Sequence, residues 1–137
     1  MSSDERPSPD SPTEVPGFGI AVAAEALYLI NLMIAPGLAF VALFALWWLK
    51  RKHAPPLARC HLRQTLAGSL WAGALLGVVN GLIIAMGGYD APHTWVVVVL
   101  YFTTCHSTLI LFGALGFAKA MAGRPFVYPL IGPRCDD

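Results

Sequence analysis

Charged residues divide the chain into three apolar runs, residues 17–49, 62–87 and 94–118, and none of them alternates apolar with polar positions. A membrane barrel would alternate with a period of two over about ten residues, so unbroken runs of this length predict helices. Each run reaches the roughly 20 residues that carry a helix across about 30 Å of hydrocarbon. The first is too long, since as one helix it would measure about 50 Å. Pro36-Gly37 lies inside it, and a proline there removes a donor and crowds the preceding turn, which predicts a kink. The stretch after the proline is too short to cross alone. The pattern therefore predicts an all-α polytopic membrane protein whose membrane domain covers residues 17–118. It has three transmembrane helices, at about 25–49, 62–87 and 94–118, the first kinked at Pro36. Residues 17–24 then lie at or outside the membrane surface.

Composition agrees with this reading. The chain is 56% hydrophobic and 12% charged, against about 25% charged in soluble domains, which excludes a soluble class. Residues 1–16 are rich in Ser, Pro and acid, so they bury too little apolar surface to fold alone and are expected to be a disordered tail. They lack the basic head and apolar core of a secretory signal peptide. Residues 119–137 read as a basic, aromatic tail lying along the membrane interface.

The charges also assign sides. Lys50, Arg51, Lys52, Arg59 and Arg63 cluster around the hinge between the first two runs, and Lys119, Arg124 and Arg134 sit in the tail. The amino-terminal segment carries Asp4, Glu5, Asp10 and Glu14 against Arg6, and the loop at 87–93 has Asp90 and no Lys or Arg. The positive-inside rule then places the amino terminus outside a bacterial plasma membrane, with the hinge and carboxyl terminus in the cytoplasm. Trp47 and Trp48 mark the cytoplasmic interface, Tyr28, Tyr89 and Trp95 the outer one, and Trp71 and Tyr101 read as packing residues. Glu25 is expected at the outer interface, where it stays hydrated.

On that orientation Cys60 and Cys135 face a reducing compartment and Cys105 lies within the membrane, so no disulfide is expected. Cys60-His61 and Cys105-His106 invite a metal or haem reading, because thiolate and imidazole are both good ligands. His61, His106, His93 and His53 sit at different depths, which argues against a shared metal or any resident cofactor. His106 is a polar intramembrane group that must bond to something, either a neighbouring helix or, less simply, a haem shared with a partner chain. Asn31 and Asn80 fall at similar depths in the first two helices, so they are expected to pair.

Along the second run, Thr65, Ser69, Gly73, Gly77 and Gly81 recur every four residues. Small residues at this interval let another helix approach closely. The stripe reads first as packing of the second helix against the other two, and alternatively as a docking face for a partner. The third run has weaker versions at Ala114, Ala118 and Ala122, with a polar patch of Thr103, Thr104, Ser107 and Thr108.

Two short motifs resemble a known family. His61-Leu62-Arg63-Gln64-Thr65-Leu66, after a basic proline-containing loop, resembles the H-x-[KR]-Q-[AS]-L signature of the Tic20-like family of small bacterial and plastid membrane proteins, with Thr65 departing from the usual Ala or Ser. Residues 120–131, with Gly123 ending a helix and Tyr128-Pro129 following, look like that family's closing element. The resemblance implies a small helical membrane protein, in some members associated with protein import, and brings no catalytic residues. His61 and Arg63 would open the second helix at headgroup level, Gln64 would bond to a neighbouring helix, and Gly123 would cap the third.

Paired intramembrane acids, a Ser/His couple and an HExxH motif do not occur within the runs, so an enzyme is not expected. The sequence thus predicts a non-catalytic accessory or scaffold subunit, with the lipid bilayer, other membrane subunits or its own copies as partners, and no nucleic acid. The alternatives are a part of a translocation or transport assembly, and a haem- or pigment-associated subunit using His106.

Overall fold

The computed structural model describes residues 11–135, and every regular element among them is helical. A 3-10 turn at Pro12–Glu14 leads into α1 (Phe18–Met33), α2 (Leu38–Lys50) and α3 (Pro56–Ala72). A π-helical turn (Gly73–Val78) joins α3 to α4 (Val79–Gly87), and α5 (Pro92–Met121) closes the bundle.

The first apolar run is where the structure departs most from the expected layout. Pro36 does not kink a continuous helix; it separates two. Proline supplies no amide donor and Gly37 adopts φ +82°, a left-handed value that a side chain opposes. The Asn31 carboxamide oxygen accepts the Gly37 N–H at 2.9 Å, closing the turn from within α1. The chain then reverses, so that Ala24 of α1 and Leu43 of α2 share one core cluster with Ala58 and Leu62 of α3. Helices of 16 and 13 residues measure about 24 and 20 Å, less than the hydrocarbon thickness. Residues 25–49 therefore do not form one crossing helix. They belong to a helical hairpin that begins at Phe18, and Ala21 and Ala24, expected at the surface, are fully buried.

Two rods are long and apolar enough to cross a membrane, Pro56–Gly87 at 32 residues and Pro92–Met121 at 30. Only 11% and 17% of their most apolar stretches are buried inside the protein. A core helix of a soluble domain would be mostly covered, so the exposed apolar surface favours a membrane protein.

Helix α1 lies between α3 and α5, and glycines on both neighbours make room for its large side chains. A Cβ on Gly68 would come within 2.9 Å of both Tyr28 and Tyr128, and one on Gly113 within 2.7 Å of the Tyr28 ring. Tyr28, expected at the outer interface, is instead fully buried at the centre of this packing. Beyond the end of α1 the two long rods continue alone and meet again where Gly87 abuts Thr94.

The amino-terminal end also lies elsewhere than expected. Gly17 packs against Ala58 and Pro55, and Gly123 against Val15 and Pro12, so residues 11–17, the hinge and the tail share one end of the bundle. Residues 11–16, expected to be disordered with the rest of the tail, hold the 3-10 turn; residues 1–10 of that tail lie outside the described part. The hairpin returns the chain to the side from which it entered, whereas a single crossing by the first run would separate the amino terminus from the hinge.

Candidate functional site

Two sites differ in kind: a sealed polar cluster at the hinge end and an open groove where α1 stops. The cluster is built on the second turn of α3. His61, whose ring is 0% exposed, places Nδ1 2.6 Å from Glu25 Oε1 and Nε2 2.9 Å from the Arg124 carbonyl. A carbonyl only accepts, so Nε2 carries a hydrogen, and a single further proton lies between Nδ1 and Oε1. Tyr128 donates from Oη to Glu25 Oε2. Burial, and then the Glu25 charge, holds the Tyr128 hydroxyl above its ordinary range, so it remains a donor.

A carboxylate taken out of water costs several kcal/mol unless its lone pairs are met. Here both oxygens have partners from two other elements. Glu25 is thus a buried structural acid and not the hydrated interfacial residue expected from its position near the start of the first span. Its place against Gly116, where a Cβ would meet the carboxylate within 2.6 Å, explains why a glycine is required on α5 at that level.

The family-like motif residues serve the same end of the molecule. Gln64, fully buried, accepts the Tyr128 N–H at 3.0 Å and donates to the Pro133 carbonyl. It holds the tail and not, as expected, a neighbouring helix. Thr65 returns its hydroxyl to the His61 carbonyl at 2.8 Å. Gly123 has φ +67°, ending α5 in the left-handed turn expected of it. The tail then folds back so that Tyr128 enters the core beside Tyr28 with ring centroids 5.3 Å apart, while Pro129 stays exposed.

Cys60 and Cys135 form a disulfide, contrary to expectation. The expectation rested on compartment alone, whereas the Gln64 clamp on Pro133 brings the tail thiol over the first turns of α3. Cys105 is free.

The small-residue stripe divides at the π turn. Thr65 and Ser69 are buried, so the first half of the stripe packs within the chain. Nothing lies within 4 Å of a Cβ built on Gly73, Gly77 or Gly81, so the second half faces outward. Glycines hold a regular helix weakly, and the wider π geometry at Gly73–Val78 is of a type often found at functional positions.

Next to this open half lies a groove of about 510 Å³ lined by Pro36, Phe40, Ser69, Gly73, Phe102 and His106 among others. It lies beside the tip of the hairpin, where Asn31, Leu32 and Phe40 face the two rods across it. The Ser69 hydroxyl and His106 Nδ1 are buried there without partners, and the His106 ring stacks on Phe102 at 5.1 Å. Asn31 and Asn80 do not pair: the first caps the hairpin turn, and the second donates to the Leu76 carbonyl of its own helix at 2.8 Å. His106 shares this groove with Asn31 but has no bond to it or to His61, and no group of three or more His, Cys, Asp or Glu side chains with metal-binding placement occurs among the described residues.

Sequence reasoning missed the partnership of Glu25, His61 and Tyr128 because it placed Glu25 on the opposite side of the membrane from His61. The signal that could have found it is the length of the first run, which fits two short helices better than one kinked span. No protein-family model, curated protein or solved structure matches the chain.

Proposed function

We propose that the protein is a non-catalytic integral membrane subunit that docks on a larger membrane assembly through the outward half of its small-residue stripe. The observation that carries this reading is the open face at Gly73, Gly77 and Gly81 on a rod long enough to cross the bilayer. In lipid, helices associate through close backbone approach and dispersion contacts, and an unoccupied four-residue glycine repeat supplies that surface. The polar side chains best suited to chemistry, Glu25, His61 and Tyr128, are spent on one another inside the fold. The Tic20-like resemblance of residues 61–66 and 120–131 is compatible with an accessory role in such an assembly.

In this reading the basic end faces the cytoplasm of a bacterial plasma membrane, since Lys50, Arg51, Lys52, Arg59, Arg63, Lys119, Arg124 and Arg134 all belong to it. Both ends of the described chain then face the cytoplasm, and the turn at 88–91 lies outside. A reducing compartment would hold Cys60 and Cys135 as thiols, with Gln64 and Tyr128 keeping the tail in place.

Extraction in mild detergent followed by crosslinking and native electrophoresis tests the proposal. A discrete complex larger than the monomer is expected, lost on Gly77→Leu while the monomer stays folded. A monomer in the absence of any crosslinked protein, or a complex indifferent to Gly77→Leu, would contradict it.

A further inference from the structure

A second groove, of about 370 Å³, opens at the hinge end between α2 and α3. Three guanidinium groups line it: Arg51 from the end of α2, and Arg59 and Arg63 from one face of α3. Among the described residues, the ion pair between Glu25 and His61 involves none of the three. Three like charges gathered on one groove repel one another, and an anion relieves that repulsion.

Two of the three are already held in place. Arg51 lies over the Trp48 ring at 4.0 Å and near Trp47 at 5.3 Å, while Arg59 donates to the Ala54 carbonyl at 3.1 Å. Arg63 is exposed and follows Arg59 by one helical turn. Guanidinium forks match the oxygens of a phosphate, and side chains fixed beforehand lose less entropy on binding.

The remainder of the groove is apolar. Leu66 and Leu70 continue the arginine face of α3 at a four-residue interval, with Ala67 and Pro133 of the tail beside them. Leu70 also lines the larger groove at the hairpin tip, so the two grooves adjoin along α3. Leu70 stands about 10 Å further along the rod than Arg63 at 1.5 Å per residue. Charge at one end and a continuous apolar track toward the membrane interior at the other match an anionic phospholipid.

We infer that the Arg51, Arg59 and Arg63 groove is a binding site for a lipid phosphate, with an acyl chain lying over Leu66 and Leu70. The site depends on the membrane reading of the two long rods and is independent of partner docking at Gly77 and Gly81. A juxtamembrane arginine contributes about 1 kcal/mol toward an anionic headgroup, or roughly a fivefold change in affinity.

The test is titration of delipidated full-length protein in detergent, read by native mass spectrometry. The probes are long-chain phosphatidylglycerol, its six-carbon-chain form, long-chain phosphatidylcholine and inorganic phosphate. Long-chain phosphatidylglycerol is expected to bind at least tenfold tighter than phosphatidylcholine. Arg59→Gln and Arg63→Gln should each weaken it about fivefold, and Lys52→Gln, outside the groove, should leave it unchanged. The short-chain form should bind more weakly than the long. Circular dichroism of the variants, all at exposed positions, confirms that folding is retained. Equal binding of the two long-chain lipids, an equal loss with Lys52→Gln, or affinity for inorganic phosphate equal to that for phosphatidylglycerol would each overturn the inference. Equal affinity of short and long chains would overturn the acyl track.

Discussion

The two halves of the long rod Pro56–Gly87 solve opposite problems with the same residue type. In the α3 half, Gly68 makes room for Tyr28 and Tyr128, and His61, Gln64 and Thr65 are bonded within the chain. In the half that begins with the π turn, Gly73, Gly77 and Gly81 make room for nothing present in this chain. Glycine spacing alone does not distinguish packing that has been completed from packing that awaits a partner. The difference lies in what stands opposite, and here it is set by the length of α1, which stops at Met33.

The sharpest way to break the contrast is to remove one member of the sealed cluster. Glu25→Leu leaves His61 and Tyr128 facing an apolar side chain, and breaking a buried pair on one side costs about 3–5 kcal/mol. Thermal unfolding in detergent should show this loss, and Gly81→Leu should show almost none. If the two variants lose equal stability, the halves are not different in kind.

A smaller effect is expected from the disulfide. The bridge links residues 75 apart, and closing a long loop is worth about 2–4 kcal/mol, through a mechanism that is model-dependent. Cys60→Ser with Cys135→Ser should lower the unfolding midpoint in oxidising buffer and have little effect under reductant. Equal shifts in both buffers would mean that the thiols contribute through packing and not through the bond.

Smaller again is Gly68→Ala, which adds one methyl group where Tyr28 and Tyr128 already stand at 2.9 Å. Overpacking of this kind costs about 1–3 kcal/mol. The same change at Gly77 adds helix propensity and touches nothing, so it should be neutral or slightly stabilising. A cost at Gly77 equal to that at Gly68 would place the second half of the stripe inside the fold.

Much of the architecture was legible in the pattern of apolar positions. The helical class and the two long rods follow from unbroken runs bounded by charge, and the turn at Gly123 from a glycine followed closely by Pro125. The first run was misread because hydropathy reports how much of a segment is apolar and not where the chain reverses. Pro36-Gly37 marks a break, and the bond from Gly37 to the Asn31 side chain closes that break as a hairpin turn. That single error moved Glu25 and Tyr28 to the wrong end and hid their contacts with His61 and Gly68. It also made Asn31 and Asn80, which bond to Gly37 and Leu76 instead, look like partners. The disulfide was hidden for another reason, since a pairing across 75 residues depends on how the tail folds back through Gln64 and Tyr128.

The central claim is that the glycine repeat changes from internal packing to an outward face at the π turn. A tryptophan series at Gly68, Gly77 and Gly81 tests it most directly, with monomer unfolding temperature and the size of the complex in mild detergent measured on the same samples. Gly68→Trp should destabilise the isolated monomer severely, whereas Gly77→Trp and Gly81→Trp should leave its unfolding temperature unchanged and abolish the larger complex. A monomer destabilised as much by Gly77→Trp as by Gly68→Trp, or a complex that survives both outward substitutions, would contradict the account.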